Sequence, residues 1–73
     1  MKQDPVQSSN IESVGYDQSA AVLEIKFRSG EVYQYANVPE SIYKGLFNAE
    51  SKGKYFQANI RNKYQFSRMQ GKE

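Results

Sequence analysis

The sequence predicts a small α+β domain, a three-stranded antiparallel meander followed by two helices packed on one face. Three observations carry that prediction. Leu23, Ile25 and Phe27 alternate with Val22, Glu24, Lys26 and Arg28, the period-two pattern of a strand buried on one side. After Val38-Pro39-Glu40, Ile42, Leu46 and Ala49 recur at helical spacing. Beyond Ser51-Lys52-Gly53, Phe56, Ile60 and Tyr64 follow at four-residue steps. With 73 residues, 38% of them hydrophobic, the chain is one domain at most, and its six Tyr and four Phe are what can build a core.

Taken in order, residues 1–9 contain Pro5 and a single aliphatic side chain, Val6, and read as a flexible tail. The domain is expected over residues 10–68, with residues 69–73 a second flexible tail. Ile11 to Tyr16 reads as the first strand and Asp17-Gln18-Ser19-Ala20 as its turn, a four-residue loop that pairs Tyr16 with Ala21 and Val14 with Leu23. The second hairpin closes best through Arg28-Ser29-Gly30 with Gly30 at positive φ. That register pairs Ile25 with Tyr33 and Leu23 with Tyr35, and gathers Val14, Tyr16, Leu23, Ile25, Phe27, Tyr33 and Tyr35 on one face. Pro39 is expected at the first helical position, with Glu40 near the positive end of the dipole. Tyr43 and Phe47 flank the stripe of this helix. Gly45 falls on its back with Lys44 and Asn48, at a cost of about 1 kcal/mol relative to Ala. The second helix is expected from Lys54 to Tyr64. Past it, Tyr64, Phe66 and Arg68 alternate with Gln65 and Ser67, a pattern shared by an edge strand and an extended tail.

Much chemistry is excluded by composition. Without histidine or cysteine there is no Ser-His-Asp or Cys-His nucleophile, no disulfide and no ordinary zinc site. The carboxylates are scattered singly, with no calcium loop and no paired-acid motif. Asn48 to Tyr55 ends like a phosphate loop but lacks its first Gly and its Ser/Thr. Lys52-Gly53-Lys54-Tyr55-Phe56 echoes an RNA-recognition submotif but has Lys54 where an aromatic is needed. A non-enzymatic protein without cofactor or metal is expected. No apolar run approaches the roughly 20 residues of a membrane span and no signal-peptide core follows Met1, so the expected compartment is the cytoplasm.

The pieces Ser8-Ser9-Asn10-Ile11, Val14-Gly15-Tyr16-Asp17, Leu23-x-Ile25-x-Phe27, Gly30, Tyr33-x-Tyr35, Val38-Pro39, Tyr43 and Ser51-Lys52-Gly53-Lys54-Tyr55-Phe56 with Ile60-Arg61 resemble the KTSC domain over about residues 8–68. That family was noticed at the C-terminus of some lysyl-tRNA synthetases and also occurs as short stand-alone bacterial and phage-type proteins. The resemblance implies a small α+β domain, no established activity and an association with RNA. The family's pattern has Asn just after the Tyr-Phe pair, where this chain has Gln57.

Charge is distributed unevenly. Residues 1–50 hold four Lys/Arg against seven Asp/Glu, a net of −3, whereas residues 51–73 hold six Lys/Arg against one Glu, a net of +5. Tyr55, Phe56, Tyr64 and Phe66 lie in that basic stretch, and basic residues interleaved with aromatics suit phosphate neutralisation and base stacking. On a continuous helix Lys54 and Arg61, seven residues apart, share one stripe, and Tyr55 stands beside Asn59 and Asn62. Lys54, Tyr55, Arg61 and Asn62 are therefore the principal candidate ligand contacts. Against this stands an equally weighted reading in which Tyr55 packs on the first helix and the charges only solvate a face. Ser51 and Lys52 open the second helix, where free backbone N–H groups attract anions and where Ser51 can equally serve as a plain cap. Lys63 and Arg68 add electrostatic support. The expected function is non-catalytic binding of a nucleic acid or small nucleotide. The rival is a protein-interaction module or homo-oligomeric adaptor that buries Val22, Val32 and Ala36 on the outer sheet face, including a phage-type nucleotide-sequestering protein.

Overall fold

The computed structural model describes residues 3–69. Five strands and two helices follow one another as β1 (Asp4–Pro5), β2 (Ile11–Asp17), β3 (Val22–Phe27), β4 (Val32–Tyr35), α1 (Glu40–Asn48), α2 (Lys52–Asn59) and β5 (Phe66–Met69). All five strands form a single antiparallel sheet in the order β1-β2-β3-β4-β5. The α+β class therefore holds, and the expected meander of three strands is its centre, extended by one strand at each edge.

Both additions lie where periodicity was weakest. The segment expected to be a flexible tail contributes β1, which pairs Asp4 with Val14 and Pro5 with Ser13. Gln3 accepts the Ser13 hydroxyl proton at 2.8 Å, the Val6 N–H donates to the Glu12 carbonyl at 3.1 Å, and Val6 packs against the core. Main-chain pairing, the Gln3 side chain and one apolar contact recruit these residues, so a mostly polar sequence gave no periodic signal. At the other edge β5 pairs Phe66 with Tyr35 and Arg68 with Tyr33, so the alternating segment is an edge strand from Phe66 on, while Tyr64 and Gln65 precede it. Met69 belongs to it, and the remainder of the tail expected at 69–73 lies outside the described residues.

The second hairpin has the expected register: Ile25 opposes Tyr33 and Leu23 opposes Tyr35, with Gly30 at φ +101°. A Cβ at Gly30 would meet nothing within 4 Å, so only its backbone angle asks for glycine there. The first hairpin differs by two residues from expectation. Tyr16 pairs with Leu23 and Val14 with Ile25 because β2 runs on to Asp17, opposite Val22. The Asp17 carboxylate then accepts from the Ser19 N–H at 3.1 Å, the Ser19 hydroxyl at 2.8 Å and the Ala20 N–H at 3.3 Å, fixing the loop after itself. A shift of two keeps every side chain on its predicted face. A bulge between Ile11 and Ser13 reverses the alternation, so Ile11 joins the core face opposite Phe27 while Ser13 lies on the other face of the sheet, buried beneath Gln3.

The core is Ile11, Val14, Leu23, Ile25, Tyr35, Val38, Leu46, Phe56 and Ile60, lying between the sheet and the helices. Pro39 takes the cap position before α1 rather than its first turn, with φ −68° and ψ 154°. The chain is pinned just ahead of it, since the Val38 N–H donates to the Ala21 carbonyl at 2.9 Å and the Tyr16 hydroxyl donates to the Val38 carbonyl at 2.6 Å. The Tyr16 and Tyr43 rings stack at 4.9 Å, which holds α1 over β2. Gly45 corrects the sequence reading. It faces α2, and a Cβ there would overlap the Tyr55 ring, with Cζ 2.6 Å away.

On the outer face Gln3 and Gln34 both donate to the Glu24 carboxylate, the latter at 2.9 Å, making a polar ladder across the sheet. None of the helices among the described residues is long and apolar enough to cross a membrane.

Candidate functional site

A cleft of about 540 Å3 opens between the helix-side face of β3 and β4, the α2 helix and Phe66 of β5. Its position follows from strand alternation. Phe27, Tyr33 and Tyr35 point toward the helices, and neither α1 nor α2 covers the β3–β4 hairpin end completely, so Phe27 and Tyr33 stay half-buried while Tyr35 is buried. Phe56 descends from α2 and meets Phe27 at 5.5 Å and Tyr35 at 5.7 Å, both edge to face. From β5, Phe66 stacks on Tyr33 with ring centroids 5.3 Å apart and planes 24° from parallel. It remains 56% exposed, so much of that ring is free to contact a ligand.

Polar groups line the rim. Arg28 and Glu31 come from the β3–β4 hairpin, Arg61 and Asn62 from the turn after α2, Gln57 from α2, and Ser9 and Asn10 from the segment before β2. Arg28 is held by its own surroundings: its Nε donates to the Ser8 carbonyl at 2.7 Å, leaving the terminal guanidinium nitrogens uncommitted to that bond. Glu31 pairs with Arg68 at 3.0 Å. Burial pushes the Tyr35 phenol above its ordinary range, neighbouring Tyr33 adds to the rise, and the positive charge of Arg61 offsets part of it. Aromatic walls with guanidinium and amide groups at their edge suit a flat ring carrying an anionic group. No group of three or more metal-ligating side chains gathers among the described residues.

The residues expected to bind are divided by the fold. Arg61 and Asn62 line the cleft, yet neither is helical, since α2 ends at Asn59 rather than continuing to Tyr64. The Ile60 and Arg61 N–H groups both donate to the Phe56 carbonyl at 2.9 Å, and Asn62 turns the chain at φ +68°. Lys54 and Arg61 therefore do not share a helical stripe. Lys54 lies with Ser51 and Lys52 in an adjoining hollow whose wall shares Ser9, Asn10, Gly53 and Gln57 with the cleft. Ser51 caps α2 by accepting from the Lys54 N–H at 3.4 Å, and the Lys52 ammonium donates to the Ala49 carbonyl at 3.0 Å. Tyr55 points at Gly45 of α1, away from both hollows, so the packing reading of that ring is the one realised. Lys63 is exposed in the turn before β5 and lines neither hollow, while Arg68 meets the cleft only through Glu31.

Sequence reasoning missed Asn10, Arg28 and Gln57 as rim groups, and treated Phe27, Tyr33 and Tyr35 as core alone. A signal was present. Once the hairpin register is fixed, Phe27, Glu31, Tyr33 and Tyr35 must share a face, running from its turn along β4. What the pattern lacked was how far the two helices reach.

A five-stranded antiparallel sheet with both helices on one face and an aromatic cleft beside them defines a small α+β domain. The profile of the KTSC domain matches residues 7–64, and the chain belongs to that family. It is 39% identical to a KTSC domain protein from Yersinia pestis of known crystal structure, with a TM-score of 0.92 over 94% of this chain and 97% of that one. A protein of Stutzerimonas stutzeri (strain A1501) is 41% identical over 56 residues, which are 77% of this chain and 79% of that protein. A lysine–tRNA ligase of Nostoc punctiforme is 40% identical over 63 residues, 86% of this chain and 11% of the ligase.

Proposed function

We propose that this domain is a non-catalytic binding module whose cleft takes a phosphate-bearing ligand with a flat base, either a nucleotide or a nucleic-acid single strand. One observation carries the reading: five aromatic side chains, Phe27, Tyr33, Tyr35, Phe56 and Phe66, converge in one hollow rimmed by Arg28 and Arg61. Stacking on exposed rings is worth about 1–3 kcal/mol per base, and guanidinium groups supply the phosphate contacts. The lysines of the adjoining hollow add positive charge along the same wall. Similarity to a segment of a lysine–tRNA ligase supports the same direction, since that protein works on RNA. The interaction-module reading draws on a different feature. β5 is a sheet edge whose four residues are exposed, Phe66 and Met69 among them, and such an edge can accept a further strand.

Calorimetric titration with nucleoside monophosphates and a short single-stranded RNA at low salt tests the proposal. Saturable binding is expected, and the double variant R28E/R61E weakens it by about tenfold or more, because charge-assisted contacts are replaced by repulsion. Both residues are exposed, and because R28E also removes the bond to the Ser8 carbonyl, circular dichroism of the variant checks that the fold is kept. A log affinity–log salt slope of about 0.7 per phosphate neutralised marks a strand, and a shallow slope marks a small nucleotide. Absence of saturable binding, or equal binding by the double variant, refutes the reading. A dimer by sedimentation together with no nucleotide binding favours the interaction module instead.

A further inference from the structure

We infer that Glu31 makes this cleft selective for guanine, an inference that rests on the nucleotide-binding reading above. Among the described residues that line the cleft, Glu31 is the one carboxylate. Next to two rim arginines it is an unhelpful group for a phosphate, and it is paired with neither of them but with Arg68 of β5, at 3.0 Å. That partner holds it in place. Glu31 lies two residues before Tyr33 and four before Tyr35, so alternation puts the carboxylate and both rings on the same face. Phe66 already lies on Tyr33, so the exposed ring on which a base would stack is that of Phe66, in the same cleft that Glu31 lines.

A carboxylate accepts hydrogen bonds and donates none, with room on its two oxygens beyond a single partner. Guanine alone among the common bases offers two adjacent donors, N1–H and the N2 amino group. Adenine and cytosine place a ring acceptor beside their amino group, and uracil flanks its single N–H with carbonyls. Against two carboxylate oxygens these bases set an acceptor opposite an acceptor, which is repulsive. Arg28, whose Nε is already bonded to Ser8, has its terminal nitrogens to offer the phosphate.

Titrations of the intact chain with GMP, IMP, AMP and UMP at one salt concentration decide the matter. The expected order places GMP first, about tenfold or more tighter than AMP, with IMP between them because inosine keeps N1–H and lacks the N2 amino group. In E31Q the advantage of GMP over AMP falls to within about threefold, since the amide replaces one acceptor with a donor. Affinities within twofold for all four nucleotides, or a GMP preference that survives E31Q, overturn this inference and leave the binding module standing. Failure of the parent chain to bind these nucleotides and the short single-stranded RNA alike removes both.

Discussion

Replacing Gly45 with Ala tests how the two helices meet. In an exposed helix interior this change is favourable by about 1 kcal/mol, because Ala loses less backbone freedom than Gly. Gly45 lies in the middle of α1, facing α2, and an added Cβ would stand 2.6 Å from Tyr55 Cζ, with the hydroxyl nearer still. That approach is far inside van der Waals contact. Either the Tyr55 ring leaves its half-buried position or α1 moves from α2, and overpacking of this kind costs about 1–3 kcal/mol. The steric cost outweighs the propensity gain, so Gly45→Ala is expected to destabilise the parent by about 1 kcal/mol, a fall of about 4–8 °C in Tm. In a Tyr55→Ala background the obstruction is gone, and the same substitution stabilises by about 1 kcal/mol. Chemical denaturation of the four proteins of this cycle, followed by far-ultraviolet circular dichroism, gives a coupling of about 2 kcal/mol. A gain of about 1 kcal/mol in both backgrounds would show that Tyr55 does not press on α1 and would refute the packing argument.

Two further outcomes follow from titrating groups. The hydrogen bonds from Ser19 and Ala20 hold the Asp17 carboxyl below its ordinary range, so its contribution to stability is present above that range and is lost as pH falls through the lowered value; Asp17→Ala should therefore lower the urea midpoint at pH 7 and make no difference once the parent's Asp17 is protonated, and a gap that persists in strong acid contradicts this. Tyr35 ionises above its ordinary range through burial, with Arg61 easing the phenolate, so Arg61→Ala should move its ultraviolet-monitored titration to still higher pH, and an unchanged curve would mean that the guanidinium is not near the ring.

The sequence by itself determined the centre of the sheet and the family. Alternation in β3 and β4 settled which face is buried, because a slip by one residue would carry Leu23, Ile25, Tyr33 and Tyr35 into solvent together. The glycine demanded at position 30 followed from the same register. Where burial on one face was indifferent to a shift of two, at the β2–β3 hairpin, the pattern could not choose, and the Asp17 side chain chose instead. Only the tertiary structure decided the edges, since β1 and β5 are recruited by unpaired main-chain groups of their neighbours and the residues they use are polar or exposed. It also decided where the candidate residues lie. The basic stretch from 51 to 73 suggested one helical stripe, but α2 stops at Asn59, sending Arg61 to the cleft, Lys54 to the adjoining hollow and Tyr55 to Gly45. Periodicity reports which side chains share a face of one element. Which rings are left half-covered at the hairpin end depends on where a second element ends, and that is fixed by packing between segments far apart in the chain.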